Sequence, residues 1–497
     1  MTSDCDADSD VYKSHHYTAT PEEAVQKILH SGTDVDCGDF MRSNAQSALD
    51  KGVVTQDAID TVLKRLFRVR LRLGHFDADG ALQTIGADQV CTPAALELAR
   101  DGVRQGAVLA KNDGGYLPLS AAALAGKKAL VVGPNMAITD TFTYYGGVAC
   151  NNAQWSAIDA INQHLPNTTG IKGVPDVGSD DVSGVPAAAA AAAAAEIVFL
   201  AVGSDLMLER ESHDRTSIAF SAGQLALIAN VTAAAKAPVV ALVFYGGAVD
   251  ITPLLENPRV AAVLMLGQPS VQVVGAGDVI FGQTLDGRAV APAARMSQMV
   301  YPAEYVNQVS MFEFSLRPGP SNWPPGTTPG RTYRFFTGVP VLPFGYGLSY
   351  TTWVYTPLPD PAPPLRLAAI DAAARAHAAT GVLGHIPASL TAEAAQFWVN
   401  VTNTGAVDSD DVVLGFLVPP GAGANGVPLQ ELFGFERVFV PAGQTVTVYL
   451  GAQGVRFTQA GSDGVRRALG GEYTVRFGVR ETAAGGGGFA ERKFIVS

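Results

Sequence analysis

Cysteine is scarce: four in 497 residues, at Cys5, Cys37, Cys91 and Cys150. So few exclude a disulfide-built scaffold, and the lack of close pairs excludes a structural zinc site. Long apolar runs are lacking too. The longest, Ala187 to Ala195, is only weakly apolar and is interrupted by Glu196, so it reads as a helix and no transmembrane span is expected. The first residues, Met1 to Asp8, are acidic and polar, without the basic start and apolar core of a secretory leader. Positive charge is the minority, 34 Lys and Arg against 46 Asp and Glu, for a net −12. That balance repels phosphate, which argues against a nucleic-acid partner and suits a neutral or cationic substrate. No G-x-G-x-x-G or P-loop follows any strand, which disfavours a nucleotide-binding protein. The sequons at Asn167, Asn230 and Asn400 are what chance supplies at this length and barely favour secretion.

What is present has a clear rhythm. A chain of this length is too long for one core and implies about three domains. Residues 1–75 read as helices with short connectors. Pro21-Glu22-Glu23 opens one helix, and Thr33 to Asp36 is a short candidate strand. Thr55 caps a longer helix with Ile59, Val62, Leu63, Leu66 and Phe67 on one face, and Gly74 stops it. Residues 76–104 form a linker. Over 105–310, strands at Ala129–Gly133, Ile197–Gly203, Val239–Tyr245 and Val260–Leu266 alternate with helices. Each is continuously apolar, as in a mostly parallel sheet buried on both faces of a doubly wound α/β domain. Ser221 and Gln224 are spaced as a capping box. Residues 311–365 are a Pro/Gly-rich connecting segment. Over 366–497, alternating strands at Phe397–Asn403, Val412–Val418, Thr445–Leu450, Tyr473–Phe477 and Phe494–Val496 predict a β-sandwich, with Gly485 to Gly488 as a flexible hairpin loop.

Chemistry gathers in two places. Ligands of open α/β sheets bind beyond the carboxyl ends of the strands. The strand ending at Gly203 runs into a loop whose residues Glu209 to Arg215 carry six ionisable groups in seven positions. A solvated charged loop is the plain alternative. The second cluster is Asp4, Asp6, Asp8 and Asp10. Solvation or disorder is its default reading. A calcium loop is weaker, because the Gly and distal Glu of an EF-hand are absent.

At these places the residues resemble the β-xylosidase (β-xylosidase/α-L-arabinofuranosidase) branch of glycoside hydrolase family 3. The ordered set includes Thr2-Ser3-Asp4-Cys5-Asp6-Ala7, His15-His16-Tyr17-Thr18 and Gly32 to Gly38. It continues through Leu109-Ala110-Lys111-Asn112, Tyr144 to Cys150, Pro329 to Phe335 and Pro343 to Tyr350, and ends with Val401 to Gly405 and Gly471 to Val475. The resemblance implies a (β/α)8 barrel, of which 1–75 is the C-terminal remnant, then an α/β sandwich and a fibronectin type III-like β-sandwich. It implies a retaining glycosidase that removes terminal β-D-xylosyl, or α-L-arabinofuranosyl, residues from xylo-oligosaccharides and needs no metal or organic cofactor. Asp4 matches the nucleophile. Glu209, Glu211, Asp214 and Arg215 match the family's Glu-x-Glu-x-x-Asp-Arg pattern, in which Glu209 is assigned as acid/base with Glu211 as runner-up and substrate contact. Such a mechanism needs its two carboxyls about 5–5.5 Å apart.

The resemblance further implies a Cys5–Cys37 disulfide lining the sugar pocket, where it would narrow the space a hexose needs for its hydroxymethyl group. Two reduced core cysteines are the alternative. Tyr145 matches a segment bordering the cleft, or is a core tyrosine. His15 and His16 read as loop-ordering residues, and Cys91 and Cys150 as buried free thiols. A barrel needs about 250 residues, so the chain reads as N-terminally truncated. Ala289 to Tyr301 departs from the family pattern. Two alternatives stand beside the xylosidase reading: a catalytically inactive fragment with a carbohydrate-binding or structural role, and an enzyme for β-D-glucosides. The family leads one to expect a secreted protein.

Overall fold

Helices dominate the first part of the chain. They are α1 (Ala7–Lys13), α2 (Pro21–Ser31), α3 (Phe40–Asp50) and α4 (Gln56–Arg72). The computed structural model describes residues 1–497 apart from 78–79, 81–83, 140–143, 145–149, 151–153, 270, 323–324, 360–366, 380–385, 387, 462 and 481–487. The chain divides into two units, Met1–Thr92 and Pro93–Ser497. In the first, Thr20 caps α2 by accepting from Glu23 N at 3.2 Å, with Pro21 at the first helical position. Ala24, Val25, Ile28 and Leu29 of α2 pack with Phe40, Ala48, Val54 and Val62. Thr55 caps α4, yet only part of the expected apolar face is covered. Val62 is buried, while Leu63 and Phe67 are 41% and 43% exposed, because they lie beyond the α2 cluster. The short strand expected at Thr33 to Asp36 is a single parallel bridge, Thr2 to Val35.

The second unit is built on a six-stranded sheet. Its strands are β1 (Val108–Asn112), β2 (Ala129–Val132), β3 (Thr169–Ile171), β4 (Ile197–Gly203), β5 (Val239–Phe244) and β6 (Val260–Gly267), ordered β1-β6-β5-β4-β2-β3. All neighbours are parallel except β1, which pairs antiparallel with β6. β1 and β3 were not among the expected strands. β3 is three residues long and largely exposed, too short for a sequence signal. The alanine tract lies in the helix Val185–Ala194, which packs on the helix Ala222–Ala234. The capping box at Ser221 is only half made. Ser221 accepts from Gln224 N, but the buried Gln224 side chain turns inward and bonds Gly203 and Val177 instead.

Seven strands form two antiparallel sheets after the α/β region. One orders Thr445–Gln453, Glu393–Asn403 and Trp353–Pro357. The other orders Glu431–Val440, Ser409–Val418, Gly471–Gly478 and Phe489–Val496. Their inner residues, among them Phe397, Val399, Val401, Tyr473, Val475 and Phe477, share one core. The first sheet takes Trp353–Pro357 from the stretch read as connecting segment. Residues 485–487 of the expected glycine loop lie outside the described residues. Among the described residues, no helix is long and apolar enough to cross a membrane.

One buried charge cluster ties the helices of the α/β region. Asp278 is fully buried and accepts from Arg100 Nε and Nη2, both at 2.7 Å, and from Arg104 Nη1 at 2.8 Å, with His164 Nε2 at 3.0 Å. Burial pushes its carboxyl up, but the hydrogen bonds from His164, Arg100 and Arg104 outweigh it and hold the value at about 2. The folded value lies below the ordinary 3.8, so this contribution to stability is full above pH 4 and is lost as pH falls through about 2. Asp278→Asn removes the buried counter-charge that Arg100 and Arg104 share, and Arg104 keeps Glu97 and Asp101. The substitution is expected to lower stability by about 3–5 kcal/mol in urea unfolding at neutral pH, and to lose less relative to the parent below about pH 3.

Candidate active site

Asp4 stands in the first unit just past the Thr2–Val35 bridge. Ser3 N donates to Val35 O at 2.9 Å, and Cys37 N donates to Ser3 Oγ at 2.9 Å. These bonds bring Asp4 and Cys37 to the same end of two neighbouring extended segments. The Asp4 side chain is exposed, and its Oδ1 accepts from Cys5 N at 2.8 Å. Cys5 and Cys37 are joined in a disulfide. Cys91 and Cys150, expected as free thiols, are also disulfide-bonded, and among the described residues no cysteine is free.

The acidic run around Asp4 is not a solvated tail. Its latter part coils into α1, which turns Asp8 inward and leaves Asp10 half-buried, while Asp4 and Asp6, ahead of the helix, are exposed. Asp8 faces Asp36, whose Oδ2 accepts from Met41 N at 2.8 Å. Asp8 Oδ2 and Asp36 Oδ1 are buried with no donor among the described residues, so one proton between them is what satisfies both. Burial first, and then the Asp36 charge, push the Asp8 carboxyl up to about 6. No group of three His, Cys, Asp or Glu among the described residues is arranged to hold a metal. His15 and His16 are exposed, and His16 Nδ1 lies 3.1 Å from Tyr12 O of the preceding α1. Tyr145 lies outside the described residues.

The second candidate carboxylates sit in the α/β region, on the loop after β4. Gly203 ends that strand at φ 138°, and a Cβ there would meet Phe244 O at 1.8 Å, so only glycine fits. Gln224 fixes this strand end: its Oε1 accepts from Gly203 N at 2.9 Å and its Nε2 donates to Gly203 O at 3.0 Å. From there the loop rises to Glu209. Glu209 Oε1 accepts from the Ser204 hydroxyl and from Gly246 N at 2.9 Å. Gly247 N lies 3.2 Å from Oε1 and 3.1 Å from Oε2, and Arg215 Nε pairs with Oε2 at 3.0 Å. Glu211 is two residues on and exposed. It occupies the tip of a tight turn closed by Arg210 N to His213 O at 3.2 Å and His213 N to Arg210 O at 3.0 Å. Ser212, beside it, takes a left-handed φ of 60°. Sequence reasoning missed Ser204, Gly246 and Gly247 as partners of this loop. The available signal was the glycine pair just past β5, where strand ends usually carry function.

Beside the loop, a cleft of about 460 Å³ opens over the carboxyl ends of β2, β3 and β4, with Lys172, Asp176, Asp205 and Arg210 in its wall. β3 and β4 lie on opposite sides of β2, so this is where the connections change direction.

Residues 107–350 match the Glycosyl hydrolase family 3 C-terminal domain. The chain carries the C-terminal domain of glycoside hydrolase family 3. It is 33% identical to beta-D-xylosidase 1 of Arabidopsis thaliana, over 96% of this chain and 61% of that protein. It is 37% identical to a probable exo-1,4-beta-xylosidase of Aspergillus fumigatus, over 88% of this chain and 53% of that protein. Among solved structures it is similar to a family 3 exo-beta-xylosidase in complex with a xylobiose aziridine activity-based probe, with a TM-score of 0.83 and 27% identity. That likeness covers 100% of this chain and 61% of the neighbour. The chain thus spans between half and two thirds of the length of these proteins.

The Asp8–Asp36 pair yields a test of the first unit. The folded Asp8 carboxyl titrates near 6, above the ordinary 3.8, so the folded unit binds a proton that the unfolded chain has shed. Stability of residues 1–92 is therefore expected to fall as pH rises from about 4 through 6. Asp8→Asn should abolish that slope in hydrogen exchange of α1 and raise protection at pH 7. An unchanged slope in the variant would place the titration elsewhere.

Proposed function

We propose that this chain is the C-terminal part of a retaining β-xylosidase, with residues 1–75 as the end of its (β/α)8 barrel and the two-sheet region as a fibronectin type III-like domain. The observation that carries the reading is an exposed Asp4 directly beside the Cys5–Cys37 disulfide, in a chain whose plant and fungal relatives bear xylosidase names. The substrate is a neutral xylo-oligosaccharide, for which no cofactor is required. Asp4 attacks the anomeric carbon of the terminal sugar as the bond to the leaving oxygen breaks, forming a glycosyl-enzyme. A carboxylic acid gives that oxygen its proton and later takes one from the water that releases the sugar.

The sequence assigned this acid/base to Glu209, and the loop geometry favours the runner-up, Glu211. Both Glu209 oxygens are already engaged by donors at the base of the loop. Presenting one to a leaving group means breaking those bonds, whereas Glu211 stands exposed at the tip. The disulfide beside Asp4 narrows the place of a hexose hydroxymethyl group, which favours xylosides over β-D-glucosides. Disulfide-bonded cysteines also fit an oxidising, extracellular compartment.

The inert-fragment reading has one observation of its own. The barrel strands are reduced to a single bridge and α4 leaves Leu63 and Phe67 exposed, as a piece of an unclosed barrel would. Hydrolysis decides between them. The folded chain is expected to cleave xylobiose and 4-nitrophenyl β-D-xyloside in preference to the glucoside. Asp4→Asn should abolish both activities. Glu211→Gln should cost roughly 10²–10⁴-fold on xylobiose and less on the nitrophenyl substrate, whose leaving group needs little protonation. No turnover by the folded parent chain would favour the inert fragment.

A further inference from the structure

The Glu209 carboxylate holds two loops of the sheet together at the base of the turn that carries Glu211. On its own loop it takes the Ser204 hydroxyl at the start and the Arg215 guanidinium at the end, with Arg215 Nε at 3.0 Å. On the neighbouring loop, after β5, it takes the backbone N–H groups of Gly246 and Gly247 at 2.9 and 3.1 Å. Arg215 reaches the same turn, donating from Nη2 to Ala248 O at 3.0 Å. The approach is close enough that a side chain on either glycine would have to push the ends of Glu209 or Arg215 aside. A Cβ on Gly246 would stand 2.9 Å from Glu209 Oε1, and one on Gly247 would stand 2.7 Å from Arg215 Nη2. Glu209 and Arg215 flank the turn Arg210 to His213, so both of its stems are fastened to one place.

We propose that Glu209 is a positioning residue that clamps the loop after β4 to the glycine turn after β5 and so sets where Glu211 stands. The inference rests on the reading of Glu211 as acid/base for its catalytic meaning, and on the hydrogen bonds alone for the clamp. A carboxylate suits the task. It accepts at both oxygens from charged and backbone donors, and charge-assisted bonds of this kind are about twice as strong as neutral ones. Glutamine at this position keeps one acceptor and sets its amide against Arg215, so it is expected to restore part of the clamp.

The experiment is hydrogen–deuterium exchange on the full chain and on Glu209→Ala, Glu209→Gln and Glu211→Gln, followed in peptides covering 204–216 and 244–250. Glu209→Ala should speed exchange in both peptides by about tenfold or more, since each opening no longer breaks charged bonds. Glu209→Gln should fall between Glu209→Ala and the parent, and Glu211→Gln should loosen both peptides less than Glu209→Ala does. Parent-like exchange in Glu209→Ala overturns the clamp, and so does equal loosening by Glu211→Gln. Where the parent hydrolyses xylosides, Glu209→Ala should lose the same factor in kcat on xylobiose and on the nitrophenyl substrate, and azide should not restore it. A larger loss on xylobiose with recovery in azide would make Glu209 itself the acid/base and overturn the proposal. A parent chain without turnover sinks the enzymatic reading, and the exchange result still decides the clamp.

Discussion

Both faces of the parallel sheet must be covered, and the second unit is organised around meeting that demand. Along β4, Val198, Leu200 and Val202 belong to one core while Ile197, Phe199 and Ala201 belong to the other. β5 alternates in the same way, with Val239, Ala241 and Val243 on one side and Val240, Leu242 and Phe244 on the other, and β6 does so from Ala262 onward, with Val263 and Met265 opposite Ala262, Leu264 and Leu266. A strand buried on both sides has no room for a charged residue, so chemistry is pushed to where the strands end. The loop with Glu209 and Glu211 begins at the first residue past β4, and the glycine turn begins two residues past β5. Neighbouring parallel strands end side by side, and this register is what brings Gly246 within reach of a residue 37 positions earlier.

The same constraint explains what could be read in advance. A strand buried on both faces is a continuous apolar run, and the four such runs in the α/β region were legible to within a residue or so at their ends. β1 and β3 were not, because they are short edge strands. β1 ends in Lys111 and Asn112, and β3 is mostly exposed. The capping box at Ser221 misled for a related reason. Gln224 has the right spacing, but Gly203 and Val177 offer it buried partners, and a buried amide follows those before a helix end. Cys91 and Cys150 could not be read as bonded, since spacing alone says nothing about which segments fold together.

The candidate site was legible in its residue types and illegible in its roles. A run of six ionisable groups past a strand marked the loop, and resemblance marked Asp4, Cys5 and Cys37. The pairing of Glu209 with the glycine turn is long-range and leaves no trace in the residues around Glu209. Nor could composition show that the Asp-rich start would send one of its members inward: Asp8 is buried on the inner face of α1, while Asp4 stands exposed ahead of that helix.

Two carboxylates two residues apart would point the same way along an extended strand and compete for one environment. Here the chain turns between them. Glu209 ends the ascending stem, and the bridge from Arg210 to His213 lifts Glu211 out on the tip. On the proposed reading of Glu211 as acid/base and Glu209 as clamp, the turn separates two tasks that one side chain cannot do at once. A carboxylate that fixes a loop must keep its donors, and a carboxyl that transfers a proton must change partners in every cycle. Holding the first permanently engaged is what allows the second to be both exposed and well placed, and the left-handed Ser212 beside it is the local conformation that so tight a turn requires.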